Sequence, residues 1–133
     1  MNADALKKAL TLARGRPVFV ATADRAGLPH LACAGRLAAA PDGRVLLTEW
    51  FCPGTLENLA GNPRMSLVVW DQKADSGYQL LGEVERVEDA AVLDGYTPQA
   101  GTAAPLPQVE RRLVVRVDSI LDFRKAPHTD VME

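Results

Sequence analysis

The chain has 133 residues, 15 basic and 17 acidic side chains, a net charge of −2 at pH 7, 47 % apolar residues and 5 % aromatics. That length sets one domain, 1–133, and the balanced charge excludes both a disordered acidic chain and a basic nucleic-acid binder. No apolar run approaches the ~18–20 residues of a membrane helix, the first ten residues hold no apolar signal core, and Cys33 and Cys52 are too few for a disulfide scaffold, so a soluble cytoplasmic protein without membrane or nucleic-acid partners is expected.

Residues 4–14 predict a helix, capped by Asp4 or Asn2, with Leu6, Leu10 and Ala13 on one face and Gly15 as its stop. Val18 to Ala23 reads as a short apolar strand. Asp24-Arg25-Ala26-Gly27 is a turn into a second strand over 30–39, and Pro41-Asp42-Gly43 a turn into a third over Arg44 to Thr48. Tight turns favour antiparallel pairing of all three.

Pro53-Gly54-Thr55 opens a short helix that buries Leu56, Leu59 and Ala60 and stops at Gly61-Asn62-Pro63. Met65 to Asp71 and Tyr78 to Val87 predict the fourth and fifth strands. Residues 88–95 read as a helical turn or two ended by Gly95, and 97–108 as a proline-rich loop ordered by a partner subunit. Arg111 to Val117 is the sixth strand, extending towards Phe123, and the tail after it reads as loose. Six strands with two small helices point to an antiparallel barrel, whose closure removes exposed sheet edges.

The chemistry-bearing residues are sparse. His30 and His128 lack a Gly-x-Ser-x-Gly elbow, and Cys33 and Cys52 lack metal-ligand spacing, so both thiols read as buried and inert. Walker and Rossmann glycine patterns are absent. The informative stretch is TEWFCPGTLENLAGNP, residues 48–63. There an adjacent Trp50-Phe51 pair precedes Gly54 and Thr55 at a helix start, where free N–H groups and a partial positive charge favour a phosphate. Arg36, on the second strand, is the candidate counter-charge. The alternative is that Thr55 is only the N-cap and Trp50-Phe51 only plug the barrel mouth.

The order VFVATADRAGLPHLA, then RVLLTEWF, then Asn58-Leu59 and Asn62-Pro63-Arg64 resembles the FMN-binding split-barrel, or pyridoxamine 5'-phosphate oxidase-like, family, over about residues 5–87. The resemblance implies an all-β fold with minor α: a six-stranded antiparallel Greek-key split barrel with an N-terminal helix and a short helix after the third strand. It implies a homodimer with FMN at the subunit interface. By the same resemblance Cys33, Ala34, Gly35 and Arg36 touch the flavin, Thr48, Glu49, Trp50 and Phe51 lie along its ring largely through backbone groups, and Gly54, Thr55 and Asn58 stand on the phosphate side. Relatives commonly carry Lys or Arg before the helix Ser/Thr, where this chain has Gly54. The short length resembles members without the region that holds pyridoxal. The expected function is an FMN-dependent oxidoreductase using a small-molecule substrate or NAD(P)H, with catalytic residues unassigned. The alternatives are a non-enzymatic module holding flavin, deazaflavin or haem, and a cofactor-free dimer.

Overall fold

The computed structural model describes residues 2–50, 52–93 and 108–131, with side chains described outside 89–109. The N-terminal helix α1 (Ala3–Ala13) is capped by Asn2, whose side chain accepts from the backbone N–H groups of Asp4 and Ala5, and it buries Leu6, Ala9 and Ala13. Strands follow as β1 (Val18–Ala23), β2 (Pro29–Ala34), β3 (Arg36–Ala39) and β4 (Arg44–Trp50). Helix α2 (Pro53–Gly61) then leads to β5 (Arg64–Asp71), β6 (Ser76–Leu93) and β7 (Gln108–Asp122).

The seven strands form one antiparallel sheet in the order β2-β1-β5-β6-β7-β4-β3. Two expectations change. The strand expected over 30–39 is two strands, β2 and β3, which lie at opposite ends of the sheet order. The chain turns this corner at Gly35, whose N–H donates to the Glu49 carbonyl at 3.0 Å. A Cβ at Gly35 would lie 2.9 Å from Glu49 Cβ, which cannot swing aside as the carboxylate can, so the close crossing favours glycine. Of the helical turn expected over 88–95, residues 88–93 are instead the end of β6, where Glu88 to Leu93 pairs with Arg112 to Gln108 of β7, and 94–95 lie outside the described residues. Most of the expected loop over 97–108 lies outside the described residues.

The core is the inner face of the curled sheet: Val18 and Val20 of β1, Val45, Leu47 and Trp50 of β4, Leu67 and Val69 of β5, Leu80 of β6, and Leu113 and Val115 of β7. Helix α1 closes one side with Leu6, Ala9 and Ala13. Period-two burial holds along β1 and β5, as a half-covered sheet requires.

The tail expected to be loose is fastened at its start. Asp75, in the β5–β6 turn, accepts from the N–H of Lys125 at 2.7 Å, from that of Ala126 at 2.9 Å and from Trp70 Nε1 at 3.3 Å. The two backbone donors, with Trp70, hold its carboxyl below the ordinary value of 3.8. A lowered folded-state pKa means the clamp stabilises above that ordinary value and weakens as the pH falls through the lowered one. Asp75→Ala should therefore raise amide exchange at Lys125 and Ala126 at neutral pH, and the wild type should show the same loss only in acid. Unchanged exchange at both amides in the variant would dismiss the clamp.

Candidate functional site

Strand β4 alternates in burial until its end: Val45 and Leu47 face the core, Thr48 is half-buried, Glu49 is exposed and Trp50 is fully buried. The phase slips by one residue because a bulge lies between Leu47 and Trp50, and Glu49 takes φ 55°. The Glu49 N–H donates to Glu110 Oε1 at 2.9 Å, and its carbonyl receives the Gly35 N–H. The indole of Trp50 thus enters the core. The indole therefore offers no exposed face as a ring wall, which leaves Trp50 its backbone for the expected place along the ring. Phe51 lies outside the described residues.

Beyond Trp50 the chain runs into α2. Cys52 takes the N-cap place without a side-chain bond, and Pro53 supplies a first residue that needs no N–H partner. Thr55 is therefore the third helical residue, not the cap, and it is fully buried. Its hydroxyl lies 3.4 Å from Nδ1 of the exposed His30. A Cβ at Gly54 would come 3.7 Å from His30 Nε2, so glycine leaves open the space between the helix start and the imidazole. One turn on, Asn58 Nδ2 donates to Thr22 Oγ1 at 3.1 Å and ties α2 to β1.

The structure thus joins Gly54, Thr55 and Asn58 with His30, which sequence reasoning treated as a turn-edge residue. The Gly-x-Pro-His turn was the available signal: register places His30 opposite Thr22, on the face that α2 covers. Arg36 is not in this group. Four strand steps, about 13 Å, separate His30 from Ala34 alone, and Arg36 lies beyond the Gly35 corner, lining a groove against α1. Sequence reasoning gave it to the helix start because it took 30–39 as one strand neighbouring that segment, whereas the chain breaks at Gly35. Cys33 and Ala34 face opposite sides of β2: Cys33 is exposed and Ala34 buried. The expectation that both thiols are buried therefore fails, since Cys52 is only partly covered.

Strand β2 pairs with β1 alone among the described residues, so the N–H and C=O groups of its other edge stay open beside the 48–55 segment. An open backbone edge, a helix start and an imidazole make a surface that can receive a planar, hydrogen-bonding molecule carrying an anionic group. Among the described residues there is no cluster of His, Cys, Asp and Glu that would hold a metal ion.

A family model described as pyridoxamine 5'-phosphate oxidase matches residues 4–119. The chain belongs to the pyridoxamine 5'-phosphate oxidase family. Solved structures share the fold of this family at low identity. A Clostridium acetobutylicum protein related to general stress protein 26 is 18 % identical with a TM-score of 0.65, covering 97 % of this chain and 94 % of its own. An FMN-binding protein from Syntrophomonas wolfei is 18 % identical with a TM-score of 0.62, covering 90 % and 86 %. An F420 reductase is 17 % identical with a TM-score of 0.58, covering 86 % and 94 %. No curated protein matches the sequence. The split barrel expected of the family is present, with seven strands where six were expected because Gly35 divides one of them.

Proposed function

We propose that this chain is a flavin-binding member of the pyridoxamine 5'-phosphate oxidase family, holding FMN along β2 and the 48–55 segment with the phosphate at the start of α2. The observation that carries this reading is the joining of Gly54, Thr55 and His30 beside the open β2 edge. The residues fit the group. The first N–H groups of α2 have no intrahelical partner by position, Gly54 leaves room, and His30 is the basic side chain at that end. Thr55, being buried, positions His30 instead of meeting the phosphate itself. The backbone of Cys33 and Ala34, on the open edge of β2, serves the ring's polar edge, with Gly35, Thr48 and Glu49 shaping its border through the Gly35–Glu49 bond.

FMN, once bound, would supply electron transfer to or from a small molecule or NAD(P)H. The chain's own residues bind and orient it. A second copy completes the cleft in this reading. Phe19 (38 % exposed) and Leu31 (65 % exposed) share the outer face of β1–β2, since Phe19 pairs with Cys33 and Leu31 with Ala21. Covering such a patch with a homodimer partner removes apolar surface from water.

The absorbance spectrum of the native protein, with mass spectrometry of what heat releases, tests the reading. Flavin bands and FMN support it; haem bands or a deazaflavin mass replace the cofactor; a colourless protein that ignores micromolar FMN removes it. His30→Ala should weaken FMN about tenfold, the loss of one charge-assisted contact. Arg36→Gln should leave it unchanged. The reverse pattern would overturn the phosphate placement. Light scattering at the mass of one chain would remove the dimer.

A further inference from the structure

The groove between α1 and β3 has a volume of about 770 Å³, within the range of small-molecule sites. Its cationic lining is Lys7 and Arg14 from α1 and Arg36 from β3. Elsewhere several arginines are neutralised by neighbours: Arg16, before β1, by Asp71, and on the sheet Arg44 by Glu85 and Arg64 and Arg116 by Glu83. Lys7, Arg14 and Arg36 have no such side-chain partner among the described residues. One carboxylate, Glu49, also lines the groove, so three cations and one anion leave a local charge of +2 in a chain whose net charge is −2. Between the charges the wall is apolar, with Leu10 half-covered and Leu37 buried.

An apolar wall rimmed by unpaired cations suits a ligand that has an apolar body and an anionic head. The body covers the half-exposed Leu10, and guanidinium groups receive a carboxylate or phosphate head in a forked geometry. We infer that the α1–β3 groove is a binding site for a single-chain amphiphilic anion, with Arg14 and Arg36 holding the head group. The groove is distinct from the helix start where the phosphate of FMN was placed, although it borders the flavin reading's ring segment at Gly35 and Glu49.

Calorimetric titration of the purified protein with octanoate, octyl phosphate and octanol tests this. Saturable binding of at least one anion is expected, about tenfold tighter than octanol and weakened by added salt. The tighter head group tells a carboxylate source from a phosphate one. Arg14→Gln and Arg36→Gln should each weaken the preferred anion about tenfold, with near-ultraviolet circular dichroism unchanged. Lys8→Gln, on α1 but outside the groove, should bind like wild type. Octanol binding as tightly as the anions, no saturable binding of either anion, or wild-type affinity in both arginine variants would overturn the inference. FMN titration of the same samples keeps its failure distinct from that of the flavin reading.

Discussion

Trp50→Ala should cost about 3–5 kcal/mol, the loss expected for emptying a large aromatic site in a core. Trp50 is the largest fully buried side chain among the described residues, and it sits where β4 meets β7, opposite Arg111. A cavity of that size between two paired strands collapses poorly, because neither backbone can move without breaking its ladder. The indole also carries a cost of its own: Nε1 is buried without a hydrogen-bond partner among the described residues, a defect of about 1–3 kcal/mol. Trp50→Phe removes that defect together with some packing, so its loss should stay below about 2 kcal/mol. Urea unfolding at unchanged slope measures both. Equal losses for the two variants would mean that the packing account of the bulge is wrong.

The second large effect concerns Gly82, on β6 beside a register shift and opposite Val117 of β7. A Cβ there would lie 2.1 Å from the Arg116 carbonyl oxygen and 3.0 Å from its carbon. These are backbone atoms of the neighbouring strand, so no side chain can swing aside. Gly82→Ala should cost about 3 kcal/mol and lower Tm by roughly 10 °C. Gly27 is the contrast: φ is +91° but nothing lies within 4 Å, so Gly27→Ala carries only the conformational cost of about 1–2 kcal/mol. A Gly82→Ala protein melting at or above the temperature of Gly27→Ala would contradict the close strand approach.

Much of the fold was legible because its signals are local. Leu6, Leu10 and Ala13 have helical spacing, and α1 runs within one residue of that expectation at each end. The turns at 24–27 and 41–43 hold glycines with positive φ at Gly27 and Gly43. What escaped depends on partners distant in sequence. Residues 88–93 carry acidic and alanine residues that read as helical, yet β7 lies alongside and claims them as strand. Gly35 looked like a strand interior because its need for glycine comes from Glu49, fourteen positions on. The candidate site was legible in part: 54, 55 and 58 form one helix face by spacing alone. His30 joins them only through sheet register, and Trp50 leaves them only through a bulge that no sequence pattern marks.

The two tryptophans differ in surroundings, and this gives the protein two optical reporters. The indole of Trp50 sits in an apolar interior with its N–H unmatched among the described residues, so its emission should lie to the blue and shift red only on global unfolding. Trp70 is half-buried, bonded to Asp75 and edge-on to Phe123 at 5.9 Å. Its signal should change when acid releases the C-terminal clamp, before the barrel opens. With so few aromatics in the chain, each colour has essentially one source, and a single spectrum taken along a pH series separates detachment of the tail from loss of the core.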